Sequence, residues 1–135
     1  MATVLVVDDD PAIREYVGDV LTLEGYAVRV VPDGPRALAA IAVERPDCVL
    51  LDIMMPGMSG HEVLAAIRAA DGGPGLPVVM LTAAADDVHA WQAWTGGVDY
   101  FLARPFDADQ LLTFLGYLFQ SSAGSEASSG EPSGR

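Results

Sequence analysis

Thr3-Val4-Leu5-Val6-Val7-Asp8-Asp9-Asp10-Pro11 sets the first strand, the first reactive edge and the first helix start side by side. An unbroken apolar run of this length that ends abruptly in carboxylates suits a strand buried on both faces. Asp10 suits an N-cap, since its side-chain oxygen can accept from the orphan N–H groups of a first turn, and Pro11 at the first helical position has no N–H to lose. Behind it Ile13, Tyr16, Val17, Val20 and Leu21 recur at the spacing of one helix face, and Gly25 suits the left-handed residue that stops such a helix.

Outward from this unit, runs rich in Val, Leu and Met return at Ala27–Val31, Cys48–Leu51, Pro77–Leu81 and Tyr100–Ala103, so five buried strands are expected. Helical spacing fills the intervals. Leu111, Phe114, Leu115, Leu118 and Phe119 mark the face of the last helix, and Asp33 and Asp107 can cap two of the later ones. Strict alternation of strand and helix implies right-handed crossovers and a parallel sheet covered on both faces by five helices. The expected class is α/β with strand order 2-1-3-4-5, which makes strands 1 and 3 neighbours and opens a ligand crevice at their carboxyl ends.

Half of the 135 residues are hydrophobic, enough for one domain over residues 1–120. From Ser121 to Arg135 the composition turns to Ser, Gly, Glu and Pro, which cannot bury enough surface to offset the entropy of ordering, so a disordered tail or a truncated linker is expected. A net charge of -12 argues against direct binding of nucleic acid by this segment. With no basic leader and no apolar run near the roughly 20 residues of a membrane span, a cytoplasmic protein without a membrane partner is expected. Cys48, the only cysteine, sits in an apolar run and reads as a core residue. All seven cationic side chains are Arg, and Lys is absent.

Four of the five strands deliver a charged or reactive residue to one edge: Asp8 and Asp9 after strand 1, Asp52 after strand 3, Thr82 after strand 4, and Arg104 followed by Pro105 after strand 5. Carboxylates about 4 Å apart repel by roughly 4 kcal/mol at an effective dielectric near 20, so the three acids together call for a cation. Mg²⁺ suits them, because it takes a few carboxylate oxygens and leaves positions for phosphate; zinc is disfavoured by the lack of Cys and His. An aspartate beside Mg²⁺ can attack phosphorus to form an acyl phosphate, with the Thr82 hydroxyl and Arg104 guanidinium donating to the phosphoryl oxygens.

Val6-Val7-Asp8-Asp9-Asp10, Leu51 through Gly60 (LDIMMPGMSG), Leu81-Thr82-Ala83 and Arg104-Pro105-Phe106 resemble the four signature blocks of response-regulator receiver domains, in order and at matching separations, over residues 3–119. The resemblance implies a flavodoxin-like fold and a two-component switch. Asp52 would be the phosphoacceptor, Asp8 and Asp9 the metal-binding acids and the Met54 carbonyl the third protein ligand to Mg²⁺. Thr82 would be the switch hydroxyl and Phe101 the switch aromatic. It also implies a histidine kinase or phosphotransfer protein as donor. The face of helix 4, strand 5 and helix 5 would then meet an output domain, a partner protein or a second copy of the chain.

Two positions depart from the family pattern. Arg104 stands where the family has Lys, and a planar fork is not equivalent to a compact point charge. Drift in a Lys-free chain is one reading. The other is an altered coupling that leaves a receiver-like interaction module with changed or lost switching. Phe101 falls where Tyr is frequent, so an outward ring offers no hydroxyl. The resemblance further implies a cis Arg104-Pro105 bond. His61 and His89 read as surface residues. Trp94 lies off the face marked by Val88 and Trp91 and is a candidate for a partner surface, while the side chains of Met54, Met55 and Met58 read as packing. A haloacid-dehalogenase-type phosphohydrolase would carry a DxD motif after strand 1, and a flavodoxin-like FMN carrier a Ser/Thr/Gly phosphate loop there; contiguous aspartates fit neither. A regulator with only slow loss of its own phosphate is expected, not a metabolic enzyme.

Overall fold

The computed structural model describes residues 2–70, 72–82, 97–103 and 107–127, with the backbone alone at 74, 82, 100, 101, 103 and 120–127. Five strands, β1 (Thr3–Val7), β2 (Ala27–Val31), β3 (Cys48–Asp52), β4 (Val78–Thr82) and β5 (Tyr100–Ala103), form one sheet in the order β2-β1-β3-β4-β5. Every pairing is parallel. Helices α1 (Pro11–Leu23), α2 (Gly34–Val43) and α3 (Gly60–Ala69) make the first crossovers, and a 3-10 turn, Gly73–Gly75, leads into β4. The expected fourth helix, with Val88, His89, Trp91 and Trp94, lies outside the described residues.

Local chemistry sets the helix limits. Asp10 accepts from the Ala12 N–H at the start of α1, and at its end the N–H groups of Gly25 and Tyr26 bond to the carbonyls of Thr22 and Leu21, with Gly25 at φ 93°. That reciprocal closure is the Schellman arrangement, and its left-handed residue favours glycine. Asp33 caps α2 through the Arg36 N–H. Ser59 and Glu62 form a reciprocal capping box on α3. β4 starts at Val78, one residue later than its apolar run: Pro77 has no N–H to give the ladder, although its carbonyl accepts from Val49.

Alternation along the strands produces two apolar faces. Leu5, Val7, Val49, Leu51, Val78 and Met80 share one core with Ala37, Val63, Leu64, Ile67 and Leu76, from α2, α3 and the β4 approach. Val4, Val6, Leu50, Val79 and Leu81 point the other way and are also fully buried. Cys48 is buried, as its apolar run suggests. On α1 the expected apolar stripe is only partly covered, with Val17 and Leu21 buried and Tyr16 42% exposed. His61, expected at the surface, is half-buried.

Residues from 106 onward form a separate unit. Its helix, Ala108–Ala127, is capped reciprocally: the Asp107 carboxylate accepts from the Gln110 N–H at 2.8 Å, and the Gln110 side-chain oxygen accepts from the Asp107 N–H at 3.0 Å. The helix runs on through Ser121–Ala127, into the Ser-, Gly- and Glu-rich stretch, because extending an existing helix adds one hydrogen bond per residue without needing burial. Residues 128–135 lie outside the described residues.

Candidate functional site

Register brings the acids together. Val7 pairs with Leu51, so one step beyond the pair Asp8 and Asp52 come side by side, on the sheet face of Val6 and Leu50. Asp8 is completely buried, Asp52 is 4% exposed and Asp9 is exposed. One carboxylate oxygen from each of the three lies within 4.8 Å of the others. At that separation two ionised carboxylates repel by about 3 kcal/mol at an effective dielectric near 20, which the fold must hold against.

Three consecutive aspartates divide the work. Asp8 is fixed by its N–H to the Val31 carbonyl, by the Asp10 N–H to its Oδ1 at 2.9 Å, and by the Arg14 guanidinium to its carbonyl at 2.8 Å. Asp9 adds its carboxylate from the open side. Asp10 spends its own on the Ala12 N–H at 2.9 Å and so serves as the helix cap.

The segment after Asp52 is held at both ends. The Met54 N–H donates to Asp52 Oδ1 at 3.2 Å, the Ile53 N–H to the Leu81 carbonyl at 3.1 Å, and the Gly60 N–H to the Ile53 carbonyl at 2.8 Å. Met55 is buried and Met58 packs against the core, whereas the Met54 side chain is 60% exposed. Gly60 permits the closest approach: a Cβ there would lie 2.4 Å from the Asp52 carbonyl oxygen and 2.7 Å from Ile53 Cα. Helix α3 can therefore start directly on the back of Asp52 only with glycine in that place.

Of the other residues expected at the site, Thr82 ends β4, one step past the Asp52 to Leu81 pair, and Phe101 lies in β5 opposite Met80. Arg104, with Pro105 and Phe106, lies outside the described residues. Sequence reasoning missed Arg14 and Gly60. The i, i+6 reach of Arg14 back to Asp8 carries no motif, and the approach to Gly60 is a tertiary contact; the only signal was a glycine within the block after Asp52.

Residues 4–115 match the response regulator receiver domain family. The chain belongs to that family. DNA-binding response regulator MtrA of Mycolicibacterium smegmatis is 43% identical over 109 residues, which cover 81% of this chain and 46% of MtrA. The probable transcriptional regulatory protein TcrX of Mycobacterium tuberculosis is 40% identical over 130 residues, 95% of this chain and 54% of TcrX. The receiver thus spans about half the length of these curated relatives. Among solved structures, chemotaxis protein CheY4 of Vibrio cholerae matches with a TM-score of 0.82 at 35% identity, over 85% of this chain and 96% of CheY4. What the match gives this chain is the receiver domain of a response regulator. Among the described residues no helix is long and apolar enough to cross a membrane.

Proposed function

We propose that the receiver accepts a phosphoryl group on Asp52 from a histidine kinase or a phosphotransfer protein, in a reaction that depends on Mg²⁺. The observation that carries this reading is the convergence of Asp8, Asp9 and Asp52 at the carboxyl edge of β1 and β3, with two of the three buried. An all-carboxylate oxygen set suits a hard divalent cation, and Asp8, Asp9, Asp52 and the Met54 carbonyl are the groups that would hold it. When bound, Mg²⁺ supplies charge neutralisation for the oxygens of the transferring group.

The chain's own part is positional. An Asp52 oxygen attacks phosphorus while the bond from phosphorus to the donor nitrogen breaks; the electron pair stays on that nitrogen, which takes up a proton, and Asp52 keeps an acyl phosphate. The Met54 N–H holds the Asp52 carboxylate, and the close seat of Gly60 holds the backbone from which it projects. Thr82 and Arg104 are assigned to the phosphoryl oxygens, and Phe101 to the aromatic that follows Thr82 when it turns. The phosphoryl group then biases the receiver toward a state that an output domain, a partner protein or a second copy reads.

Because the matched relatives include a DNA-binding regulator twice as long, we assign any DNA contact to a segment beyond the receiver and place the protein in the cytoplasm. This is a signalling switch whose only turnover is slow loss of its own phosphate. Incubation with Mg²⁺ and acetyl phosphate should add the mass of one phosphoryl group to the wild type and none to Asp52→Asn. No adduct under conditions that modify a working receiver, or an adduct that survives Asp52→Asn, would refute the assignment. Phosphorylation that leaves association unchanged, and regains an effect in Arg104→Lys, would favour the interaction-module reading.

A further inference from the structure

On the edge of the sheet opposite the acids, residues of α2, α3 and the turn before β4 line a cavity of about 400 Å³. It lies beside the amino ends of β3 and β4, about 13 Å of strand away from Asp52 at roughly 3.3 Å per residue. Leu38 and Ile41 of α2, Ala66 and Ile67 of α3, and Leu76 before β4 make its wall apolar. Arg45 is the charged residue on the lining.

Two arginines build this site from the turn that closes it. Arg45 Nη1 donates to the Gly72 carbonyl at 2.6 Å, and Arg68 Nη1 donates to the carbonyls of Gly73, at 2.7 Å, and Leu76. Arg68 is further tied to the Gly97 carbonyl and Asp99, so its charge is matched by a carboxylate. Arg45 has no ion pair among the described residues, in a chain whose net charge is -12. The lining of an apolar cavity thus carries an exposed guanidinium, bonded through Nη1 to Gly72 among the described residues.

We propose that this cavity is a binding site for a small amphipathic anion, a monocarboxylate with an aromatic or short alkyl body, its apolar part between α2 and α3 and its carboxylate on Arg45. The volume falls within the roughly 300–1,000 Å³ of small-molecule pockets, and apolar walls with one convergent charged group are their usual make-up. A charge-assisted hydrogen bond from a guanidinium fixes the acid end and gives the selectivity. The site is independent of the chemistry at Asp52.

The test uses 4-phenylbutyrate and its neutral amide as probes against the ¹⁵N-labelled chain. Saturable amide shifts are expected at Leu38, Ile41, Ala66, Ile67 and Leu76, with the carboxylate binding about tenfold tighter than the amide, the ratio for a charged hydrogen bond of about 1.5 kcal/mol. Arg45→Met, which keeps an apolar stem, should bring the carboxylate down to the affinity of the amide. Ala70→Trp, at the exposed rim, should block both probes while leaving the spectrum folded. Equal affinity of acid and amide in the wild type, shifts mapping elsewhere, or no saturation at millimolar probe would each overturn the proposal; the wild-type comparison decides even if a variant does not fold.

Discussion

Gly60→Ala should destabilise the receiver, although by local rules it ought to help. Alanine is favoured over glycine within a helix by up to about 1 kcal/mol, partly because it narrows the unfolded ensemble. Against that stand two backbone contacts, 2.4 Å from the new Cβ to the Asp52 carbonyl oxygen and 2.7 Å to Ile53 Cα. Neither atom belongs to a side chain that could swing aside. Relief needs a separation near 3.5 Å, a movement of about 1 Å by the start of α3. Overpacking of this kind costs about 1–3 kcal/mol, and stretching the 2.8 Å bond from the Gly60 N–H to the Ile53 carbonyl adds about 1 kcal/mol. The net expectation is a loss of about 2 kcal/mol, a urea midpoint lower by about 1 M for a slope of roughly 2 kcal/mol per M. Gly18→Ala is the control: in the middle of α1 its Cβ would meet only Val30 and Val28 methyls at 3.9 and 4.0 Å, so the same substitution should stabilise by about 0.5–1 kcal/mol. Urea unfolding followed by circular dichroism compares the two. If Gly60→Ala is as stable as the wild type, the close seat of α3 on Asp52 is not a constraint, and the reasoning fails.

The wild type should gain about 2.7 kcal/mol from Mg²⁺ at 100 times the dissociation constant, and Asp8→Asn should abolish that gain. A thermal shift with and without Mg²⁺ reads both, and an unchanged metal response in Asp8→Asn would count against the site. Burial, with Asp99 and Asp47 adding, pushes the Cys48 thiol far above its ordinary range. The unfolded chain releases this proton near pH 8.5 while the folded chain keeps it, so the contribution is whole below that pH and declines above it by up to about 1.4 kcal/mol per pH unit. Between pH 7.5 and 9.5 the wild type should therefore lose about 1 kcal/mol more than Cys48→Ala, and its thiol should resist alkylation until urea unfolds it; equal losses would refute the assignment.

Much of this arrangement is legible in the sequence because the information is local. Asp10 with Pro11, Asp33 and Asp107 cap the helices the spacing proposes, and the apolar runs become the strands within a residue or so of their limits. Adjacency of Asp8 and Asp52 follows from the strand order, since parallel register carries both to the same step. The illegible parts depend on contacts between distant segments. Nothing in the run Val63 to Ala69 distinguishes Arg68 from a surface residue of an amphipathic helix, yet it reaches Gly73, Leu76, Gly97 and Asp99. Likewise, three methionines that look alike separate in space, Met55 and Met58 inward and Met54 outward.

That separation bears on how the family can diversify. Met54 contributes its main chain to the acid site, through the N–H on Asp52, while its side chain is 60% exposed to solvent. A substitution there leaves the folding determinants of the segment, Met55, Met58 and Gly60, untouched and alters the surface an incoming donor meets. Position 54 is thus open to selection for partner discrimination at almost no cost in stability, and a saturation library should tolerate most residues at 54 while rejecting nearly all at 60.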